Sequence, residues 1–208
     1  MLERAPSSRA ARSLARLAQA VKRLALADGL TPVQAQAILF CARTRPDVAS
    51  VGSLARVLGT THATAVGIVD GLVRRGYVVR RSKPDDRRVT LLALTDRGRE
   101  VAETILEGNA ILERALDRLP ADQRTTFEQA LDALSRELAA AGHLQLSEPC
   151  PGCVFLEPNA APSASRPHYC RYFRSYLSDV ETQLDCPKHT PPRTDGFRRE
   201  ELRLRAAR

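Results

Sequence analysis

The chain has 208 residues, 43% of them hydrophobic, and a formal net charge of +8. This length allows one large domain or a domain with an appendage, and the apolar content is enough for a core. No run of about 18 uncharged apolar residues occurs, which excludes a membrane-spanning helix. The Arg-rich N-terminal stretch lacks the apolar segment of a signal peptide. We therefore expect a cytoplasmic protein, whose cysteines are more suited to metal or redox roles than to disulfides.

The N-terminal segment predicts two helices. Apolar residues recur every three or four positions from Leu14 to Leu24, which predicts an amphipathic helix over residues 7–27. Thr31 before Pro32 predicts the N-cap and first turn of a second helix that runs to about Arg43. A short strand is expected at residues 49–51.

Residues 52–95 carry the pattern of a winged helix. A short helix from about Gly52 to Leu58 and a second one, capped by Thr60 or Thr61 and ended by Gly76, are joined by a turn that contains glycine. That is the helix-turn-helix pattern. The segments YVVRR and VTLLALT have strand composition and flank the charged turn SKPDDR, so a β-hairpin follows.

Two long helices are predicted next, from Asp96 to Leu119 and from Ala121 to Ala141, with apolar stripes wider than one small domain needs. Spare apolar helix surface indicates dimer contacts. The fold class is thus mainly α with a small β-wing, long dimerisation helices and a Cys-rich extension. The expected divisions are an N-terminal dimerisation helix, a DNA-binding domain, dimerisation helices, a metal-binding extension and a charged tail, at residues 1–30, 31–95, 96–142, 143–190 and 191–208.

Positive charge is concentrated at residues 70–99, whereas residues 100–149 carry net negative charge. A recognition helix presents short polar side chains at its N-terminal turns to base edges in the major groove, and wing arginines enter the minor groove. Basic residues at the helix end reach phosphates. The predicted DNA-binding residues are Thr60, Thr61, His62, Thr64, Arg74, Arg75, Lys83, Asp86, Arg87 and Arg88.

The segment LARVLGTTHATAVGIVDGLVRRGYVVRRSKPDDRRVTLLALTDRGRE resembles the core of the MarR family of bacterial winged-helix regulators. Its most specific part is the wing pattern DRR, five residues, then LT and Gly98. The resemblance covers about residues 7–142 and implies an obligate homodimer, built by the first and last helices, on a palindromic operator. It also implies that Arg88 contacts the minor groove and that Asp86 orients the arginines around it. We expect a repressor rather than an enzyme, since no catalytic triad, carboxylate pair or phosphate loop is evident.

The remaining residues hold four of the five cysteines: Cys150, Cys153, Cys170 and Cys186. A Cys-x-x-Cys pair places two thiolates on one side of a tight turn, and two further cysteines, predicted to bracket a helix over residues 169–185, complete four soft ligands. Structural zinc sites usually bring a second close pair. One close pair with two distant cysteines, the last followed by proline, favours a [4Fe–4S] cluster.

Several alternatives for the extension stay open. Zinc is the alternative cofactor, and free or disulfide-switching thiols come third. His168 and His189 are possible substitute ligands, while Cys41 reads as a small buried hydrophobe with a possible role in sensing oxidation. The predicted regulator senses redox or iron status through the four-cysteine centre. The rival hypotheses are a regulator that binds a small aromatic or phenolic effector and has a structural zinc, and a tail that docks a partner protein.

Overall fold

The computed structural model describes residues 8–24, 29–83, 86–160 and 164–192. The elements in chain order are α1 (Arg9–Leu24), α2 (Pro32–Arg43), α3 (Val51–Val57), α4 (His62–Arg74), β1 (Val78–Lys83), β2 (Asp86–Leu94), α5 (Asp96–Leu116), α6 (Ala121–Ala140), β3 (Leu156–Glu157), β4 (His168–Cys170), β5 (Ser175–Leu177) and α7 (Asp179–Thr182). None of the helices in these ranges is long and apolar enough to cross a membrane.

The helix boundaries follow capping residues that the sequence makes visible. Thr31 caps α2 in a capping box with Gln34, and Thr61 caps α4 by accepting the Thr64 N–H. Thr95 caps α5 and also donates its hydroxyl to the Gly76 carbonyl at 2.6 Å. These caps satisfy backbone donors that helix starts leave unpaired. The predicted helix-turn-helix and hairpin are therefore confirmed.

The main core lies inside this winged-helix part, where α2, α3, α4 and the start of α5 pack against the β1–β2 hairpin. Ile38, Leu54 and Val69 are fully buried there. The strand expected at residues 49–51 is reduced to a single bridge from Ser50 to Leu91, because Ser50 caps α3 and Val51 begins that helix.

The prediction of a helix over residues 169–185 is wrong. The chain instead forms an antiparallel sheet in the order β3–β4–β5, followed by the one-turn helix α7. Arg174 adopts a positive φ of 52° in the turn between β4 and β5, which a helix does not permit. Tyr169 and Tyr176 face each other across this hairpin with ring centroids 5.0 Å apart, so cross-strand pairing replaces the expected helical stripe.

This small sheet and the turns around it, residues 148–190, make a lobe with its own apolar cluster of Cys150, Cys170 and Leu177, and we call it the cysteine lobe. It is joined to the winged helix at the connector, residues 43–50, between α2 and α3. Backbone hydrogen bonds run from Arg45 N–H to Asp185 O and from Asp185 N–H to Arg43 O. Residues 193–208, most of the predicted charged tail, lie outside the described residues.

Candidate functional site

The N-terminal turn of α4 presents the predicted base-reading side chains at the surface. His62 and Thr64 are exposed. Thr61 is also exposed, but its hydroxyl is engaged as the cap, at 3.1 Å from the Thr64 N–H and 2.9 Å from the Thr64 hydroxyl. Thr60 precedes the cap and is half-buried. His62 and Thr64 are therefore the outward-facing pair of this set.

An open groove of about 540 Å³ separates α4 from the wing. His62 and Asp70 line it from α4, and Arg80 and Arg88 line it from the hairpin. Arg80 Nη1 lies 2.7 Å from Asp70 Oδ1, so an ion pair spans the two elements. Sequence reasoning missed Arg80, which lies two residues after buried Val78 and therefore on the strand face turned toward α4.

Asp86 and Arg88 form the tip geometry that the wing pattern implies. Arg88 donates from its backbone N–H at 3.1 Å and from Nε at 3.0 Å to Asp86 Oδ1. These hydrogen bonds from Arg88 hold the pKa of the Asp86 carboxyl below its usual value. Arg87 is exposed beside them. The carboxylate therefore fixes the direction of Arg88 while the guanidinium remains on the surface.

The other predicted phosphate contacts differ in their surroundings. Arg74 is exposed at the end of α4, whereas Arg75 donates to the Gly29 carbonyl at 3.2 Å and stacks 5.1 Å from the Tyr77 ring centroid. Lys83 Nζ lies 5.8 Å from the ring centroid of Phe173, which belongs to the cysteine lobe. Arg75 thus stabilises the fold of the winged helix, and Lys83 of the wing contacts the cysteine lobe.

Two similar turns carry three of the four cysteines in the lobe. In the first, Cys153 N–H donates to Cys150 O at 2.9 Å, and Gly152 takes the positive φ of 81° that the turn requires. In the second, His189 N–H donates to Cys186 O at 2.9 Å. The CPGC and CPKH segments therefore share a spacing and a closing hydrogen bond, and the repeated Cys-Pro is visible in the sequence.

All four cysteines of the lobe line one small cavity of about 10 Å³, room for roughly one water molecule. Phe155, Tyr172 and Phe173 supply its apolar wall, whereas Tyr169 and Tyr176 pack on each other. The cationic side chains of Arg45 and Lys188 also line the cavity, together with His189. Thiols, aromatic rings and cations therefore converge on one enclosed space.

Two of the thiols that line this cavity, those of Cys150 and Cys186, have raised pKa values. Burial raises the pKa of Cys150 to about 11, although the charge of Arg45 acts in the opposite direction. Burial likewise raises the pKa of Cys186, whereas a hydrogen bond from the Lys188 backbone N–H and the charge of Arg45 lower it. Metal binding needs the thiolates, so a metal has to displace protons from these groups.

The two histidines differ. His168 is held between Asp179 Oδ1 at 2.8 Å and the Asn159 N–H at 3.3 Å, away from the cavity wall. His189 is buried, and its Nδ1 lies 2.7 Å from the Pro149 carbonyl oxygen. Within the described residues, no three His, Cys, Asp or Glu side chains come close enough to hold a single metal ion.

The comparisons with known proteins concern the winged helix. Residues 28–89 match the model of the MarR family. The winged helix-turn-helix region of this chain is therefore similar to that family. The chain is 32% identical over 85 residues to the transcriptional repressor MprA of Escherichia coli K12, covering 41% of this chain and 47% of MprA. It is 28% identical over 89 residues to the uncharacterized HTH-type transcriptional regulator YfiV of Bacillus subtilis strain 168, covering 42% of this chain and 56% of YfiV.

The chain spans about half the length of the curated relatives it matches. It also resembles the transcriptional repressor CouR of Rhodococcus jostii RHA1 in a structure with a 23-mer DNA duplex. The TM-score is 0.51 at 26% identity, covering 60% of this chain and 88% of CouR. These relatives are named as a transcriptional regulator and as transcriptional repressors.

Proposed function

We propose that this MarR-type chain is a transcriptional repressor that binds a palindromic operator as a homodimer. The observation that carries the proposal is the groove between α4 and the wing, into which His62 and Arg88 project from opposite sides. Such a groove straddles one strand of the duplex when α4 enters the major groove and the wing reaches the minor groove. CouR was crystallised with DNA, and MprA is a repressor by name.

A second copy of this chain accounts for the uncovered helix faces. Neither α1 nor α6 has a buried residue, although both carry apolar stripes. Their large exposed side chains include Leu17, Leu134 and Leu138. Soluble monomers rarely expose contiguous apolar surface of this kind, and a twofold dimer suits a palindrome.

The finer proposal is that the cysteine lobe holds a [4Fe–4S] cluster through Cys150, Cys153, Cys170 and Cys186. The four cysteines line one small cavity, and four thiolates are the ligand set of such a cluster. The aromatic wall and the cations suit a buried anionic cluster.

The connector supplies a route from the cluster to the DNA-binding elements. At one end it is hydrogen-bonded to Asp185, next to Cys186. At the other end, Leu92 N–H of the wing donates to Ala49 O at 2.7 Å, and Ser50 caps α3. Loss of the cluster when iron is scarce, or one-electron exchange with a cellular electron carrier, changes the charge and packing beside this connector. The repressor therefore senses iron or redox status.

Selection from a library of randomised DNA duplexes tests the operator proposal. We expect enrichment of a palindrome with half-sites about one helical turn, roughly 10 base pairs, apart, bound by two chains. Enrichment of no sequence, or of a site bound by a single chain, contradicts it.

Purification without oxygen, followed by the visible spectrum and assays of iron, sulfide and zinc, tests the cluster. A brown protein with about four irons and four sulfides per chain is expected. Exchange of Cys186 for Ser should remove the colour, whereas exchange of Cys41 for Ser, the matched control, should retain it. A colourless protein with one zinc per chain refutes the cluster.

A small aromatic effector is the second candidate signal. An open crevice of about 540 Å³ lies between α2, α3 and residues 144–148, with Leu39 and Phe40 on its apolar side and Arg43 on its polar side. Glu148 and Asp185 also line the crevice, so a neutral phenol fits this lining better than an aromatic anion. Release of DNA on adding phenol, from protein that holds zinc and no iron in the lobe, favours this alternative.

A further inference from the structure

Arg45 is a cation of the winged-helix region that is fully buried against the cysteine lobe, with 0% of its surface exposed. It follows α2 directly and is part of the connector. Its Nε and Nη2 donate to the two carboxylate oxygens of Asp47, at 2.6 and 3.1 Å. A buried guanidinium is costly unless its charge and its donors are matched, so the site has to provide further partners.

The third nitrogen of Arg45 is directed at the cysteines. Nη1 lies 3.8 Å from Cys150 Sγ, and the guanidinium carbon lies 5.1 Å from the ring centroid of Phe173. The charge of Arg45 is also felt at Cys186. Asp47 remains partly exposed, so solvent weakens its compensation of Arg45, whereas the cavity side is enclosed. The guanidinium therefore presents positive charge to the thiols across a medium of low polarity.

We propose that Arg45 is a positioning residue that acts as the counter-charge of the [4Fe–4S] cluster and raises its reduction potential. This inference rests on the proposed function, since it needs the cluster. When the cluster accepts one electron, its negative charge increases by one unit. A fixed cation beside it stabilises the reduced form more than the oxidised form. Net charge and hydrogen bonds near the sulfurs are recognised determinants of cluster potential.

The test is a reductive titration of full-length protein, isolated with its cluster, using dithionite and mediator dyes. Arg45→Gln retains hydrogen-bond donors but removes the charge, so its midpoint potential should be more negative than that of the wild type. Arg45→Lys retains the charge and should lie closest to the wild type. Asp47→Asn removes the opposing negative charge and should shift the potential in the positive direction.

An electrostatic role predicts potential shifts of opposite sign in Arg45→Gln and Asp47→Asn. A general loosening of the lobe shifts the potentials of both variants in the same direction. Arg45→Gln with full iron content and an unchanged potential overturns the inference. If Arg45→Gln loses its iron, the Asp47→Asn variant decides, and an unchanged or negative shift there overturns it. Wild-type protein isolated without iron and sulfide refutes the proposed cluster itself. The metal assay distinguishes this outcome from a variant that holds iron and has an unchanged potential.

Discussion

At the residue scale, Asp86 orients Arg88 and does little for the stability of the fold. The pair is at the surface, where water screens ion pairs and their contribution to stability is about 0–1 kcal/mol. The two hydrogen bonds that Arg88 donates to Asp86 Oδ1 nevertheless restrict the orientation of the Arg88 side chain. An arginine that is already held in one orientation loses less conformational entropy when it enters a narrow DNA groove.

Arg88→Ala should weaken binding to the selected operator by about 1–3 kcal/mol and lower the salt dependence of binding by about one ion. Arg118→Ala is the matched control, because it removes the same charge from the exposed end of α5. Titrations by fluorescence anisotropy at several salt concentrations measure both quantities. Equal losses of operator affinity in Arg88→Ala and Arg118→Ala mean that only the overall charge of the protein affects DNA binding.

Cys41 is expected to be inert. Burial raises the pKa of its thiol to about 12. The thiolate is the reactive form, and at neutral pH only a very small fraction of this thiol is ionised, a fraction that grows as pH rises toward the pKa. Iodoacetamide at pH near 7 should therefore leave Cys41 unmodified in native protein, as mass spectrometry can measure. Alkylation at the rate of the unfolded protein supports an oxidation-sensing role instead.

At the scale of elements, the sequence predicts best where one local signal decides. Thr31 and Thr61 cap α2 and α4 as expected, because a side-chain oxygen before an apolar helical stripe has few other roles. The sequence predicts a helix in the cysteine lobe because the aromatic residues there recur at helical spacing, but these residues pair across a hairpin. That pairing depends on the turn at Arg174 and on contacts distant in sequence. Arg45 escaped notice for the same reason, since its partner Cys150 is far along the chain.

Two glycines within helices should respond in opposite ways to the same change. A methyl group at Gly67, exposed on α4, meets nothing within 4 Å, so Gly67→Ala should raise the free energy of unfolding by up to about 1 kcal/mol. A methyl group at Gly98, in the first turn of α5, overlaps the Tyr77 carbonyl, so Gly98→Ala should be destabilising. Urea denaturation measures both, and a stabilised Gly98→Ala contradicts the packing described.

At the scale of the whole molecule, charge and apolar surface are segregated. Arg80 and Arg88 of the wing line the groove beside α4, whereas α1 and α6 present apolar stripes. The cysteine lobe contacts the wing through Phe173 and Lys83. It packs on the connector, from which backbone hydrogen bonds lead to the wing. The metal centre proposed for the lobe would therefore act on each DNA-binding half through the connector.

The dimer can be tested by placing a charge on the apolar stripe of α6. Leu138 is 41% exposed, so Leu138→Glu should leave the chain folded but bury a carboxylate in the interface, which is costly without a partner. Sedimentation analysis should then show a monomer, and operator affinity should fall because one half-site is lost. Val180→Glu makes the same kind of change at a side chain 73% exposed in the cysteine lobe and should stay dimeric. A Leu138→Glu protein that still sediments as a dimer moves the interface away from the C-terminal half of α6, and with it the expected spacing of the two recognition helices.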